Sequence, residues 1–243
     1  MLKAALIGSK GRMGQVLSGL APEAGVEVVG SVDAGDDIAL AIRDAEVAVD
    51  FSVPAATVRL VDACVLRGVP AVIGTTGLSA DQQGEVQRAA TQVAVVQAGN
   101  FSVGVNTLFW LVEHAARALG TDYVAEVLEL HHRHKQDAPS GTAMDLATRL
   151  QRAAEGEKPL RHGREGQIGP RPDAEIGLHA LRGGEVVGEH TVFFFGPHDR
   201  LELTHRAADR RIFATGALRA AHWVAKQPAG LYNMQDVLGL TAS

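Results

Sequence analysis

The sequence is poor in cysteine and has no excess of positive charge. Cys64 is the one cysteine among 243 residues, which excludes an intramolecular disulfide and a metal site built from several cysteines. It falls in an amphipathic helical pattern, so we expect a buried thiol. Lys and Arg total 23 against 28 Asp and Glu, a net charge of −5. This balance gives no basic surface for nucleic acid or an anionic membrane, and neither partner is predicted.

Long hydrophobic runs are also absent. No apolar stretch approaches the ~20 residues that a membrane-spanning helix needs. The start of the sequence, MLKAALIGSKG, is too short and too interrupted by glycine for a signal peptide. The default expectation is therefore a cytoplasmic protein. Hydrophobic residues make up 46% of the chain, enough to fill a core in one large domain or two modest ones.

The first 100 residues alternate apolar strand patterns with amphipathic helix patterns. Because the strands are apolar along their whole length, helices should cover both faces of a parallel sheet. This alternation predicts an α/β fold with a Rossmann-type parallel sheet. The predicted strands are 2–8, 26–33, 47–53, 70–76 and 93–99.

The pattern changes after residue 100. A long helix runs to Gly120, and a strand, a helix to about residue 155 and a loop over 156–173 follow. Three consecutive strand-like segments then precede a helix at about 209–226. Consecutive strands indicate a second, α+β domain with a mixed or antiparallel sheet.

A glycine motif, GxxGxxG, joins the first strand to the first helix. Gly8 would end the strand in a tight turn, Gly11 would admit a pyrophosphate, and Gly14 would let the helix pack closely on the sheet. The N-terminus of the helix offers N–H groups to phosphates. The motif predicts a dinucleotide site, although an ordinary glycine-rich turn is the alternative.

Asp33 ends the second strand, where an acidic residue of a Rossmann domain meets the adenosine ribose. A carboxylate there accepts hydrogen bonds from the ribose hydroxyls and repels a 2′-phosphate. No arginine follows in the next four residues, so NADH should be preferred over NADPH. A simple turn residue is the alternative for Asp33.

Two further loops follow predicted strands four and five. In open α/β sheets the ligand lies beyond the carboxyl ends of the strands, so both loops are candidate walls around a nicotinamide. Asn100 and Ser102 could instead cap the following helix. The loops are Gly74-Thr75-Thr76-Gly77 and Ala98-Gly99-Asn100-Phe101-Ser102.

Residues 131–135 read His-His-Arg-His-Lys, and Ser140-Gly141-Thr142 then opens a helix. A helix start with small residues beside cationic groups suits a small substrate with more than one carboxylate. Histidine is also suited to proton transfer near neutral pH. Two alternatives remain, a metal site or a solvated basic strand end. Because the run lacks metal-ligand spacing and cysteine partners, no metal is predicted.

Seven segments together resemble the 4-hydroxy-tetrahydrodipicolinate reductase (dihydrodipicolinate reductase) family. They are GSKGRMG, VDAGD, DFSVP, GTTG, AGNFSVGVN, ELHHRHKQDAPSGTA and GALRAAHWVAKQPAGLYNMQDVLGL, spanning residues 8–240. The resemblance implies an NAD(P)H-dependent oxidoreductase that reduces dehydrated 4-hydroxy-tetrahydrodipicolinate in lysine and diaminopimelate biosynthesis. It implies a dinucleotide-binding domain of residues 1–100 and 216–243, and a domain of residues 101–215 for substrate binding and assembly into a homotetramer.

The resemblance also implies roles by position. His131 matches a proton donor and acceptor, and Lys135 a proton donor; which of them delivers the proton stays open. The substrate contacts implied by position and by the helix start are His132, Ser140, Gly141 and Thr142. The implied cofactor contacts are Gly8, Ser9, Lys10, Gly11, Arg12, Met13, Asp33, Gly74, Thr75, Thr76, Ala98, Gly99, Asn100 and Phe101.

Two other functions fit part of the sequence. The first is a different Rossmann oxidoreductase acting on a semialdehyde or a sugar. A phosphorylating semialdehyde dehydrogenase would need a nucleophilic cysteine, and Cys64 lies within the dinucleotide half. The second is an NAD-binding sensor without catalysis, which would not need the histidine–lysine run.

Overall fold

The computed structural model describes residues 1–154 and 158–240. The chain divides into two compact units, Met1–Val103 with Arg211–Ser243, and Gly104–Arg210. These bounds fall a few residues from the expected domain limits; the functions assigned to the two domains stay predictions. Residues 155–157, where the expected helix gives way to the expected loop, lie outside the described residues, as do residues 241–243 at the end of the expected first domain.

Strands and helices alternate through the first unit, whereas the second unit is richer in strands. The strands are β1 Leu2–Ile7, β2 Val26–Val32, β3 Val47–Asp50, β4 Ala71–Ile73, β5 Ala94–Gln97, β6 Val124–His131, β7 Leu160–His162, β8 Ile176–Arg182, β9 Gly188–Phe195, β10 Arg200–Ala207 and β11 Gly230–Tyr232. The helices are α1 Arg12–Leu20, α2 Ile38–Ala41, α3 Pro54–Arg67, α4 Ala80–Ala90, α5 Val103–Leu119, α6 Gly141–Ala153, α7 Arg211–Val224 and α8 Met234–Leu238, with a 3₁₀ turn at Gly120–Asp122.

The first unit contains a six-stranded sheet in the order β11-β5-β4-β3-β1-β2, in which all pairs are parallel. Alternate residues of β1 face opposite cores: Leu6 packs with α1, α7 and α8, and Ile7 packs with α2, α3 and α4. Both faces are therefore buried, which explains the continuous apolar strands. Cys64 is fully buried in the second of these cores, as expected.

Local sequence sets several helix ends in this unit. Pro54 occupies the first turn of α3, where its missing N–H costs no hydrogen bond, and Gly68 ends that helix in the left-handed conformation at φ +67°. Ser79 caps α4 and forms a reciprocal pair with Gln82.

The second unit contains a five-stranded sheet in the order β10-β9-β6-β8-β7. β9 runs antiparallel to β6 and β10, whereas β8 runs parallel to β6 and β7. The sheet is therefore mixed, and the predicted fold class is confirmed. One face packs against α5 and α6 through Val127, Val192 and Phe194 of the sheet.

Two short strands were not expected. β7 lies inside the segment predicted as a loop, where it pairs with the edge of β8. β11 lies in the tail and pairs with the edge of β5. Each has three residues and one neighbouring strand, so neither leaves a clear alternation in the sequence. Among the described helices, none combines the length and apolarity needed to cross a bilayer.

Candidate active site

The loop after β1 is shaped by its glycines. Gly8 has φ +80°, and a Cβ there would lie 2.5 Å from the carbonyl oxygen of Phe51. A Cβ on Gly14 would collide with the backbone of Gly8 and Ser9, so α1 approaches the loop as closely as backbone allows. The exposed Gly11 lies directly before the first turn of α1. The tight turn at Gly8 and the close packing at Gly14 agree with this geometry, and the pyrophosphate contact of Gly11 stays a prediction.

Asp33 is joined to the same loop. Its Oδ2 accepts hydrogen bonds from the Ser9 hydroxyl at 2.7 Å and from the Lys10 backbone N–H at 3.0 Å. The Asp33 backbone N–H donates to Asp36 Oδ2 at 2.9 Å, which closes a turn after β2. Asp33 is thus a turn residue and also a carboxylate held beside the glycine loop.

The loop after β4 is held by a buried carboxylate that sequence reasoning missed. Asp50, fully buried at the end of β3, accepts hydrogen bonds from the hydroxyl groups of Ser52, Thr57 and Thr75. Burial raises the pKa of Asp50, and these hydrogen bonds oppose that shift. Thr75 therefore points into the protein and anchors the loop, while the neighbouring Thr76 is exposed.

In the loop after β5, the predicted cofactor contacts differ in which of their atoms are exposed. The Phe101 side chain is 2% exposed and meets the Phe51 ring edge-on at 5.5 Å, so it belongs to the core. Any contact of Phe101 with a cofactor would therefore use its backbone. Asn100 Oδ1 accepts from the Ser102 backbone N–H at 2.9 Å, the capping arrangement considered as an alternative. Gly99 is exposed and Ala98 half-buried.

In the second unit, the structure separates the basic run into buried and solvated parts. His131 is 8% exposed at the end of β6, whereas Arg133 and His134 are exposed and lie near Glu185. His132 and Lys135 are half-buried. A solvated strand end therefore describes only two of the five side chains.

His131 contacts a buried carboxylate two residues earlier on the same strand. Its Nδ1 is hydrogen-bonded to Glu129, which also accepts from Arg182 at 2.8 and 2.9 Å. Burial lowers the pKa of His131, and the hydrogen bond and charge of Glu129 oppose that shift. The positive charge of Lys135 lowers this pKa further, so both proton-transfer candidates share one electrostatic environment.

His132 and Lys135 each have a nearby partner. The guanidinium of Arg210 donates to His132 Nε2 at 3.1 Å, while the buried Nδ1 of His132 has no partner among the described residues. Lys135 Nζ lies 2.8 Å from a carboxylate oxygen of Asp137.

Ser140 links the basic run to α6. Its hydroxyl accepts from the Ala143 backbone N–H at 3.2 Å as the helix cap, and it lies 3.1 Å from His190 Nε2. Burial lowers the pKa of His190 to about 4, so this imidazole is neutral near pH 7. Gly141 and Thr142 form the first turn, with Gly141 exposed and no atom within 4 Å of a Cβ built there.

Sequence reasoning missed four polar groups of this cluster. Glu129 could have been found, because residues i and i+2 of a strand share a face and Glu129 precedes His131 by two. Arg182, His190 and Arg210 come from distant segments and had no local signal. The placement of Arg182 and His190 depends on strand register, for example the pairing of Glu129 with His190 across β6 and β9. Arg210 lies between β10 and α7.

No metal cluster accompanies these histidines in the described part of the chain. Within residues 1–154 and 158–240, no group of three or more histidine, cysteine or acidic side chains is placed to hold a metal ion. Two histidines of the run are instead hydrogen-bonded to other side chains, His131 to Glu129 and His132 to Arg210.

The parallel sheet, the glycine cradle after β1 and the carboxylate after β2 define a Rossmann-type dinucleotide-binding protein. A solved structure shares this fold. The GenD2 enzyme of gentamicin A biosynthesis, in complex with NAD, superposes with a TM-score of 0.59 at 14% identity, over 99% of this chain and 91% of GenD2. At this identity the likeness concerns the fold.

The particular family follows from the sequence as a whole. The family model for the dihydrodipicolinate reductase N-terminus matches residues 2–101, and that for the C-terminus matches residues 104–238. The chain therefore belongs to the dihydrodipicolinate reductase family, and the resemblance seen in the sequence is confirmed. Members of this family are pyridine-nucleotide oxidoreductases, so the chain is an enzyme of that class.

Individual relatives agree. The 4-hydroxy-tetrahydrodipicolinate reductase of Akkermansia muciniphila is 48% identical over 99% of both chains. That of Psychrobacter arcticus is 44% identical over 99% of this chain and 96% of its own. A dipicolinate-bound dihydrodipicolinate reductase from Paenisporosarcina sp. TG-14 superposes with a TM-score of 0.81 at 23% identity, over 97% of this chain and 98% of its own.

Proposed function

We propose that this chain reduces dehydrated 4-hydroxy-tetrahydrodipicolinate to tetrahydrodipicolinate with NAD(P)H, in lysine and diaminopimelate biosynthesis. The observation that carries the proposal is a group of side chains in the second unit. The group consists of His131, His132, Lys135 and Arg210, together with the first turn of α6. Such a cluster offers fixed positive charge, N–H donors and an imidazole together. A small dicarboxylate that must accept a proton needs all three.

The cofactor would be held by the first unit. The residues fit a dinucleotide, because a Cβ on Gly8 or Gly14 would collide with protein backbone. Only glycine at these positions lets α1 begin this close to the end of β1, where its N–H groups would meet a pyrophosphate. We assign the contacts to 8–13, 33, 74–76 and 98–101, with Phe101 acting through its backbone. Asp33 disfavours a 2′-phosphate, so NADH should be the better substrate and NADPH the poorer one.

The substrate would be held by the second unit. One carboxylate would meet the N–H groups of Gly141 and Thr142 at the start of α6, which Ser140 caps. His132, whose Nδ1 has no protein partner in the described residues, would donate to substrate. The relative from Paenisporosarcina binds dipicolinate, an aromatic analogue with two carboxylates, which supports a dicarboxylate site.

The reaction adds one hydride and one proton to the substrate ring and converts NAD(P)H to NAD(P)⁺. When bound, the cofactor supplies the hydride. The protein supplies the proton from His131 or Lys135, which neutralises the negative charge that builds on the ring. Because Glu129 occupies Nδ1 of His131, its Nε2 is the nitrogen available for that transfer.

Assembly is expected through the open face of the second sheet. Among the described residues of this face, Leu128, Leu181, Phe193 and Phe195 present apolar area, and the two phenylalanine rings stack at 5.7 Å. A second copy that covers this face would bury these side chains, consistent with the expected homotetramer. The cytoplasm, where reduced nicotinamide cofactors are regenerated, is the expected compartment.

The test is a coupled assay. Substrate generated continuously by a dihydrodipicolinate synthase is supplied to the purified protein, and the absorbance of NADH or NADPH is followed. We expect oxidation of both cofactors, a higher kcat/KM with NADH, and competitive inhibition by dipicolinate. Cofactor binding without oxidation would contradict the proposed reaction and favour a sensor. A kcat/KM more than about tenfold higher with NADPH would contradict only the role of Asp33.

A further inference from the structure

One buried carboxylate contacts three separate segments around the proposed substrate site. Glu129, which is 1% exposed, accepts hydrogen bonds from His131 Nδ1, from two guanidinium nitrogens of Arg182, and from the Ser140 backbone N–H at 3.0 Å. These donors come from β6, the end of β8 and the residue that caps α6. Burial by itself would raise the pKa of Glu129, but the hydrogen bonds from Arg182, His131 and Ser140 together hold that pKa below its ordinary value. The carboxylate is therefore ionised near neutral pH.

An ionised carboxylate only accepts hydrogen bonds, so its contact with His131 requires a proton on Nδ1. In the neutral ring the proton-exchanging nitrogen is then Nε2. Neighbouring residues also restrict the orientation of the His131 ring. A Cβ on Gly188 would lie 2.9 Å from Nε2, and the His190 ring packs edge-on at 5.2 Å between centroids. The tautomer and the orientation of His131 are both set by its surroundings.

The same carboxylate holds the start of α6. Glu129 Oε1 accepts a hydrogen bond from the Ser140 backbone N–H. The Ser140 hydroxyl in turn accepts from the Ala143 backbone N–H and contacts His190. The groups proposed to bind a substrate carboxylate and the group proposed to move a proton are therefore tied to one residue. A displacement of Glu129 would change their separation, and such changes are costly in active sites.

We propose that Glu129 is the positioning residue of this site: it fixes the Nδ1–H tautomer and the ring orientation of His131 and holds that ring in register with the first turn of α6. The inference rests on the proposed function, because it takes His131 as a proton-transfer group. Arg182 compensates the buried negative charge of Glu129 and helps to hold this carboxylate in place. The charged and titratable groups that face His131 are Glu129, Arg182, Lys135 and His190.

The first measurement is made on the unaltered protein. Long-range ¹⁵N–¹H spectra of the full-length protein would give the tautomer of His131, with the signal assigned by its loss in His131→Ala. We expect the Nδ1–H form for the neutral ring. An Nε2–H form would overturn the proposal.

The second measurement compares Glu129→Gln with Glu126→Gln, which alters a buried glutamate on the opposite face of β6. Glu129→Gln removes a charge that raises the pKa of His131, so that pKa should fall and kcat should drop roughly 10- to 100-fold. NADH affinity should be unchanged. Glu129→Asp keeps the charge, and should restore part of the pKa but less of kcat. Glu126→Gln should leave both the His131 pKa and kcat unchanged.

A double variant separates the positioning role from a general structural one. In a His131→Ala background, Glu129→Gln should lower kcat by less than about twofold, because its effect passes through His131. An equal loss in both backgrounds, or an unchanged His131 pKa in Glu129→Gln, would overturn the proposal. If His131→Ala itself keeps full kcat, the proposed function of His131 fails. If His131→Ala loses kcat and Glu129→Gln does not, the positioning role alone fails.

Discussion

Two buried carboxylates lie three residues apart on β6 and serve different purposes. Because successive side chains of a strand alternate, Glu126 faces one side of the sheet and Glu129 the other. Glu126 is bound by Arg164, Arg171 and His179. Both carboxylates thus combine arginine with histidine, and both have a lowered pKa.

The two clusters differ in what remains unpaired. None of the buried side-chain nitrogens and oxygens in the Glu126 cluster lacks a partner within the described residues. Around Glu129, the Nε of Arg182 and the Nδ1 of His190 are buried and have no hydrogen-bond partner in residues 1–154 and 158–240, and the same holds for Nδ1 of the neighbouring His132. Unpaired buried donors are expensive unless a ligand uses them. This difference fits a structural role for the Glu126 cluster and the proposed binding role for the Glu129 cluster.

The largest expected effect tests this contrast on the two histidines. His131→Ala should lower kcat by roughly 10²- to 10⁴-fold, because it removes a proton-transfer group. His179→Ala removes the corresponding hydrogen-bond partner of Glu126 and should leave kcat within about twofold of that of the unaltered protein. Steady-state kinetics with NADH would measure both. Cofactor affinity and oligomeric state should be determined for each variant, so that a loss of assembly is not mistaken for a loss of chemistry.

Equal kcat losses in the two histidine variants would show that the distinction between the clusters is wrong. A small effect of His131→Ala accompanied by a large effect of Lys135→Ala would instead assign proton transfer to Lys135. The second result would not bear on the Glu126 cluster, because that cluster contains neither His131 nor Lys135.

The sequence predicted the first unit better than the second for a physical reason. Parallel strands with helices on both faces are continuously apolar, and glycine turns mark their ends, so the local pattern of β1 to β5 carries the fold. In the second unit, the same local pattern located His131 and Ser140. It could not reveal Arg182 or His190, because their contacts arise from the register of β8 and β9 against β6.

For some residues in the matching segments, only the structure shows what the side chain contacts. Phe101 stands at a position that resembles a cofactor contact, yet its ring lies in the core, which only the packing against Phe51 reveals. Asp50 was part of a matching segment without a role. Its buried carboxylate proves to hold Thr75, because three hydroxyl groups converge on it from separate positions.

A smaller effect concerns stability at low pH. Burial by itself would raise the pKa of Glu126, but hydrogen bonds from Arg164, Arg171 and His179 together lower it from 4.5 to about 2. A carboxyl with a depressed folded-state pKa stabilises the fold above its unfolded-state pKa, and that contribution is lost as pH falls. Stability should therefore decline between about pH 4.5 and pH 2, by up to about 3 kcal/mol from this group.

The measurement is urea unfolding across this pH range at fixed protein concentration. Glu126→Gln should be less stable at neutral pH and should lose less stability on acidification than the unaltered protein. The two proteins would differ by a constant amount at every pH if Glu126 were not the titrating group. Glu129→Gln should also lose less stability on acidification, because the pKa of Glu129 is lowered too, and unlike Glu126→Gln it should change kcat.

The smallest expected effect exchanges arginine for lysine in each cluster. Arg171 donates to Glu126 and to the carbonyls of Ala125, Pro172 and Glu175. Arg171→Lys keeps the charge but loses the planar fork, and should cost about 1–2 kcal/mol in the free energy of unfolding with kcat unchanged. Arg182→Lys should cost a similar amount and also lower kcat, because Arg182 holds Glu129 against His131. Unfolding curves and kcat for the pair provide the measurement. If kcat responds equally in both variants, the two clusters do not differ in kind, and the role assigned to Glu129 would have to be shared by Glu126.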